Sequence, residues 1–318
     1  MSTDTNRDAL TNASAISTKP QSQPSTNDTY AHKVLALVAQ HRLATSPQLH
    51  QLISPEGRRQ TISAVLNRLR EDKLLSYTVL PASNRTRAWY LTPQGARVVA
   101  SWPELRGRPV QAPSGGTDAG LRAAHTLTVL RAHLAFLHDA RARGDEYGPL
   151  DWVPEVAHRL PDTGGEDRLI ADAVLHYTAI TPRRLQFRAF VEVDRATMSS
   201  ERLSRKLISY ARFHEYLPQL PGRRGTVADQ DAMLAWQRFY PRFPRVLFVL
   251  TGAGPDALQQ RINDLRAMVA GHPLVTQLAG KVQLGAAVLE DLEQYGATGP
   301  VWSPLSSTND ERRSWMEL

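Results

Sequence analysis

The stretch that decides the fold is AFVEVDRATMSSERLSRKLISY, residues 189–210. Glu192 and Asp194 are separated by one residue within a strand expected over Gln186–Asp194, so both carboxylates project from the same face. A helix follows from about Ser199 to Tyr216 and sets Lys206 and Tyr210 four residues apart, one turn from each other. A strand that feeds two acids directly into a lysine-bearing helix requires a mixed α/β arrangement.

Working outward from that stretch gives the rest of the unit. Upstream, RLIADAVLHY (168–177) reads as a strand over Leu169–Tyr177, with Asp172 flanked by Ile170, Ala171, Ala173 and Val174. A carboxylate in so apolar a strand is costly unless it is paired. Before it come a turn, PDTGGED, a strand at Trp152–His158 and a long amphipathic helix over about Ala119–Arg143. Downstream are a loop at 217–230, a short helix near Asp231–Phe239 and a strand at Arg245–Leu250. A helix at Pro255–Ala270 and a strand at Val282–Glu290 complete the order α-β-β-β-α-β-α-β, a mixed sheet flanked by helices.

The N-terminal part has another pattern. Residues 1–29 are rich in Ser, Thr, Asn, Gln and Asp, and read as a disordered tail. Helices are expected at Tyr30–Gln40, from the Ser46-Pro47 start to about Ile53, and at Arg58–Asp72, the last with Ile62, Val65, Leu66 and Leu69 inward. Strands at Leu74–Leu80 and Arg87–Leu91 flank the turn PASNRT, and Thr92-Pro93 opens one more helix. Three helices and a β-hairpin are the order of a winged helix-turn-helix. The expected fold class is therefore α+β: a winged helix-turn-helix over 30–106, a Gly/Pro/Ser-rich linker at 107–118, a mixed-sheet domain over 119–305 and a tail at 306–318.

The charge follows this division. The whole chain has 318 residues and a net charge of +7. Residues 30–110 hold 12 Lys and Arg against 4 Asp and Glu, whereas residues 111–318 hold 24 of each. In a helix-turn-helix the second helix enters the major groove, where Arg and Gln make bidentate contacts to guanine and adenine. Arg58, Arg59, Gln60, Ser63, Asn67 and Arg70 lie on the outward side of that helix, and Asn84, Arg85 and Arg87 sit at or beside the hairpin tip. The expected partner is double-stranded DNA; a winged helix used for protein contacts is the alternative.

Several chemistries drop out. There is no Cys, hence no disulfide, thiolate metal site or thiol nucleophile. The apolar runs Val246–Leu250 and Ala286–Leu289 fall far short of the roughly 20 residues a membrane span needs. The N-terminus does not read as a signal peptide, so no membrane partner and a cytoplasmic location are expected. Gly252, Gly254 and Ala257 formally fit G-x-G-x-x-A, but too little chain follows for a dinucleotide fold, and they read as a strand–helix turn.

Carboxylates converging from adjacent strands suit Mg²⁺ or Mn²⁺, hard ions that prefer oxygen and can activate a water against a phosphodiester. The candidate set is Asp172, Glu192 and Asp194, with Lys206 to stabilise charge on the attacked phosphate; Glu155 could join from the preceding strand. The alternative pairs Glu192 and Asp194 with Arg188 or Arg195. The chain has 33 Arg and only five Lys, so a Lys beside carboxylates suggests a need for a compact point charge. Tyr210 reads as packing.

The order and the acids resemble nucleases of the PD-(D/E)xK class. Asp172 and Glu192 match its first two acids, while Asp194 stands where the class has Lys. Some members carry that lysine on the following helix, where Lys206 lies. In the recombination-type exonucleases, a first-helix His ligates metal and the later helix shows Q-x-x-x-Y. His125 in AAHTLTVL and the K-x-x-x-Y of Lys206–Tyr210 stand at similar places. The complete pattern, a winged helix followed by L-x-A-D-A-V and E-V-D-R-x-T…K-L-x-x-Y, is similar to the replication-relaxation family of plasmids and integrative elements, notably actinobacterial ones. That resemblance implies a role in plasmid replication or DNA relaxation. It leaves three readings: a Mg²⁺-dependent nickase or endonuclease; an inactive scaffold that forms a homodimer or recruits a relaxase or replication initiator; or a winged-helix transcription regulator.

Overall fold

The computed structural model describes residues 26–80, 85–108, 116–160, 168–218, 233–307 and 311–318. The N-terminal tail up to residue 25, most of the linker, Asn84 and the turn PDTGGED lie outside the described residues.

The first elements are α1 (Thr26–His41), β1 (Ala44–Thr45), α2 (Ser46–Ile53) and α3 (Arg59–Glu71). β2 (Leu75–Val79), β3 (Arg87–Leu91) and α4 (Pro93–Val99) follow. The cap of α2 is Thr45 rather than Ser46. Thr45 Oγ1 accepts from Gln48 N at 3.3 Å and Gln48 Oε1 accepts from Thr45 N at 3.0 Å, a reciprocal capping box. Ser46 instead accepts a hydrogen bond from the Trp89 indole at 2.8 Å. In α3 the buried side chains are Ile62, Val65, Leu66 and Leu69, as the spacing predicts. β2 and β3 pair antiparallel from Leu75↔Leu91 to Val79↔Arg87. β1 adds to the far edge of β3, a strand too short to show any periodicity. Gly95, at the start of α4, is a steric requirement: a Cβ there would stand 2.1 Å from the Leu74 carbonyl oxygen.

The larger part opens with α5 (Gly116–Arg143), then β4 (Trp152–Arg159), β5 (Arg168–Ala179), β6 (Leu185–Asp194) and α6 (Ser200–Glu215). β7 (Arg245–Leu250), α7 (Pro255–Gly271), α8 (Pro273–Ala279), β8 (Leu284–Val288), α9 (Leu289–Tyr295) and β9 (Ser303–Pro304) complete it. The six-stranded sheet has the order β4-β5-β6-β7-β8-β9. β4, β5 and β6 form an antiparallel meander, β7 and β8 run parallel to β6, and β9 is antiparallel. The strand expected over Val282–Glu290 is shorter, because LEDLEQY turns into α9. The short helix expected near Asp231–Phe239 is a 3₁₀ turn at Ala235–Arg238. Gly252, with φ 83°, and Gly254, the cap of α7, make the strand–helix turn that the glycine pattern suggested.

Helices cover both faces of this sheet. Val191, Val193, Leu247 and Val249 pack with Leu130, Phe136 and Leu137 of α5. Phe190, Val246 and Phe248 pack on the other face with Leu203 and Leu207 of α6 and Leu258 and Ile262 of α7. The first of these clusters continues into Val34, Leu35, Val38 and Leu66, so the N-terminal helices and α5 share one apolar core. Polar contacts reinforce the junction: Arg141 donates to the Gln51 and Leu52 carbonyls, both at 2.6 Å, and Gln48 to the Leu127 carbonyl at 3.0 Å. Among the described residues, no helix is long and apolar enough to cross a membrane.

Candidate functional site

The site lies where β5 and β6 part. Their regular pairing stops at Ala173↔Val191. Just beyond it, Asp172 Oδ2 accepts from the Val193 amide at 2.8 Å, so a side chain takes the place of a ladder carbonyl. Side-chain alternation also breaks here: Leu169, Ala171 and Val174 all join the same core cluster, and no two-residue period allows that without a kink. On the neighbouring strand Glu155 adopts φ 51°. Its carboxylate forms an ion pair with Arg42, which leaves it outside the site.

Glu192, only 1% exposed, faces α6. Lys206 Nζ donates to its two oxygens at 3.1 and 2.9 Å, and Tyr210 OH donates to Oε1 at 2.5 Å. The four-residue spacing places both donors on one face of α6. Lys206 also donates to the Ile170 carbonyl at 2.6 Å. His125 Nε2 lies 3.1 Å from Asp172 Oδ1. Four elements, α5, β5, β6 and α6, thus bring His125, Asp172, Glu192, Lys206 and Tyr210 together. Tyr210 does more than pack: it is fully buried against Phe190, and its hydroxyl closes the carboxylate's hydrogen bonds.

Asp194 is not brought into this group. It shares a face with Glu192, but its Oδ2 accepts from Arg261 Nη1 of α7 at 2.8 Å. The same guanidinium binds the Met198 carbonyl at 2.8 Å and the Ala196 carbonyl at 3.2 Å. Asp194 and Arg261 therefore fasten the 195–199 loop that leads into α6, a positioning contact in place of the expected metal ligand. Nothing in the sequence near Asp194 announces Arg261, which comes from α7, beyond α6 and β7.

The electrostatics match the geometry. Burial, then the nearby Asp172 charge, pushes the Glu192 carboxyl up to about 7, against the opposing pull of Lys206 and Tyr210. The hydrogen bond to Asp172 raises His125, and burial, then the Glu192 charge, raises the Tyr210 phenol well above its ordinary value.

Among the described residues, no group of three or more His, Asp or Glu is placed to hold a metal ion, so the four-ligand set Asp172, Glu192, Asp194 and His125 does not assemble. Asp172 and Glu192 remain as a pair. The Lys206 ammonium, ringed by both Glu192 oxygens and the Ile170 carbonyl, marks an all-oxygen position that accepts positive charge. Mg²⁺ commonly binds through one or two carboxylates plus substrate phosphates, and the donors here are of that all-oxygen kind.

On the N-terminal part, Arg58, Arg59, Gln60, Ser63, Asn67 and Arg70 are all exposed along α3. Arg58, Arg59, Gln60, Ser63 and Asn67 have no side-chain hydrogen bond or ion pair among the described residues. Arg85 is exposed with φ 61°. Arg87 lies 4.5 Å from the centre of the Tyr77 ring and Arg70 5.9 Å from it, so one aromatic ring links the end of α3 to the hairpin.

This is a mixed α+β protein, with helices flanking a mixed six-stranded sheet and a smaller three-stranded sheet ahead of it. The chain belongs to the replication-relaxation family, whose model matches residues 35–227, and that family points to a role in replication or relaxation of plasmid or mobile-element DNA. The matched segment contains all of the converging side chains but ends before Arg261. Comparison with curated proteins and with solved structures returned no match.

Proposed function

We propose that this protein binds duplex DNA of a plasmid or mobile element through a winged helix-turn-helix at residues 30–106, and that residues 119–305 form a PD-(D/E)xK-like domain that nicks or cleaves it. The reading rests on the convergence of Asp172, Glu192 and Lys206 where two strands part. The exposed basic face of α3 and the antiparallel meander followed by parallel strands support it.

Asp172 and Glu192 would hold Mg²⁺ or Mn²⁺, which supplies an activated water and neutralises charge on the phosphodiester. Lys206 provides the compact ammonium that stabilises charge building on the attacked phosphate. Tyr210 fixes the Glu192 carboxylate, and the Val193 amide and His125 fix Asp172; these three act as positioning groups. The test is conversion of supercoiled plasmid to nicked or linear forms with Mg²⁺ or Mn²⁺, lost in Asp172→Asn. Intact supercoiled DNA across a range of origin-containing substrates overturns cleavage.

One observation favours a second reading, a recruitment factor for a relaxase or replication initiator without chemistry of its own. Glu192 is already satisfied by Lys206 and Tyr210, and Asp194 by Arg261. Calorimetry separates the two readings: DNA binding without Mg²⁺ binding supports recruitment.

A further inference from the structure

Residues 111–318 are neutral in sum, with 24 basic and 24 acidic side chains, but that neutrality is not uniform in space. Between the start of β5 and the outer face of α6 lies a cleft of about 360 Å³ lined by Arg168, Arg202, Arg205, Lys206 and Ser209, with no carboxylate among the described residues of its lining. The side chains of Arg168 and Arg202 have no hydrogen bond or ion pair among the described residues. Arg205 has one, to Glu201 at 2.8 Å, but both side chains are mostly exposed, and such a pair holds little in water.

A second observation points the same way. Arg168 stands directly opposite Arg159 in the β4–β5 ladder. Like charges directly across a ladder are destabilising. The fold therefore gathers cations here at a cost: Lys206 and Arg205 each meet one carboxylate, whereas the Arg168 and Arg202 side chains meet none among the described residues. Lys206 belongs both to this cleft and to the Glu192 contact, so an anion in the cleft sits at the entrance to the carboxylate pair.

We infer that this cleft binds the phosphodiester backbone of one DNA strand and feeds it toward Asp172 and Glu192. The inference rests on the DNA-binding reading above and adds a second contact surface, remote in sequence from α3. Guanidinium forks match phosphate oxygens bidentately, and Ser209 offers a neutral donor. Contacts of this kind carry no sequence information but position the duplex.

The test is fluorescence anisotropy of labelled duplex DNA with the full-length protein over a range of salt concentrations. Each phosphate contact contributes about −0.9 to the slope of log K against log salt. Arg168→Ala/Arg202→Ala should weaken binding to every sequence alike and reduce the slope by about 2, whereas Arg59→Ala/Gln60→Ala on α3 should relax sequence preference. The double cleft variant should melt no lower than the parent, since removing Arg168 relieves its repulsion with Arg159. If the parent binds duplex DNA and the cleft variant keeps its affinity and slope, the cleft assignment falls. If the parent fails to bind duplex DNA at any salt, the DNA-binding reading itself falls.

Discussion

Lys206 holds both carboxylate oxygens of Glu192, at 3.1 and 2.9 Å, inside a site where that carboxyl is still pushed up to about 7. One ammonium does not offset the combined cost of burial and of the Asp172 charge. The site is therefore short of positive charge, and a carboxyl so perturbed by burial and a neighbouring charge is a mark of functional sites.

A stability signature follows. A carboxyl raised in the folded state binds its proton more tightly folded than unfolded, so stability falls as pH rises from 4.5 to about 7. Above that range an ionised Glu192 costs on the order of 3 kcal/mol, at 1.36 kcal/mol per pH unit. Glu192→Gln should gain up to about 3 kcal/mol at pH 8 and almost nothing at pH 4. Lys206→Met should do the reverse, losing most stability at pH 8. Urea melts of the three proteins at the two pH values decide it; parallel shifts at both would remove the coupling.

The Asp194–Arg261 pair predicts a different outcome. Arg261 is 17% exposed and Asp194 1%. Arg261→Ala strands a buried carboxylate, a change that typically costs about 3–5 kcal/mol. It also frees the Met198 and Ala196 carbonyls, so hydrogen exchange should rise over 195–203 as well. Arg261→Lys should rescue only part, because the acceptors are divided between two separate guanidinium nitrogens, Nη1 and Nη2, and one ammonium does not reproduce that fork. Full rescue by Lys would reduce the contact to simple charge.

These pairs show how far the sequence could be read. Glu192 meets Lys206 14 and Tyr210 18 residues on, within one strand–helix unit, so the convergence of strand and helix was legible. The Asp172 kink was signalled only as an unexplained acid in an apolar strand. Asp194 looked equivalent to Glu192 because period two fixes a face, not a neighbour, and Arg261 lies 67 residues away. β1 and β9, each of two residues, give no pattern at all. The Arg168 cleft was hidden for a third reason: charge totals sum over space, and the acids that cancel it do not line the cleft.

Acid sensitivity arises elsewhere in the structure, at histidines buried in the neutral form. His41 at the end of α1 lies 5.1 Å, centre to centre, from His133 of α5, which stacks on Trp152 at 5.2 Å. Burial, then Arg108, lowers His41 to about 3, and burial alone lowers His158 to about 4. His158 stacks on Phe213 at 4.5 Å and shares a 2.9 Å hydrogen bond with the Tyr240 hydroxyl. The unfolded chain takes up these protons below 6.5 and the folded chain does not, so stability is complete above 6.5 and falls with pH from there toward 3 to 4. At pH 5 each histidine should cost about 2 kcal/mol relative to pH 7. Glu192 slopes the opposite way over part of this range, so the measurement belongs in the Glu192→Gln background. There, urea melts between pH 7 and pH 5 should show a steep loss of stability, and His158→Phe should remove about half of the combined His41 and His158 share. The loss of the Tyr240 hydrogen bond lowers His158→Phe equally at every pH and leaves the slope readable. An unchanged slope would mean that His158 takes up its proton in the folded protein as readily as in the unfolded chain.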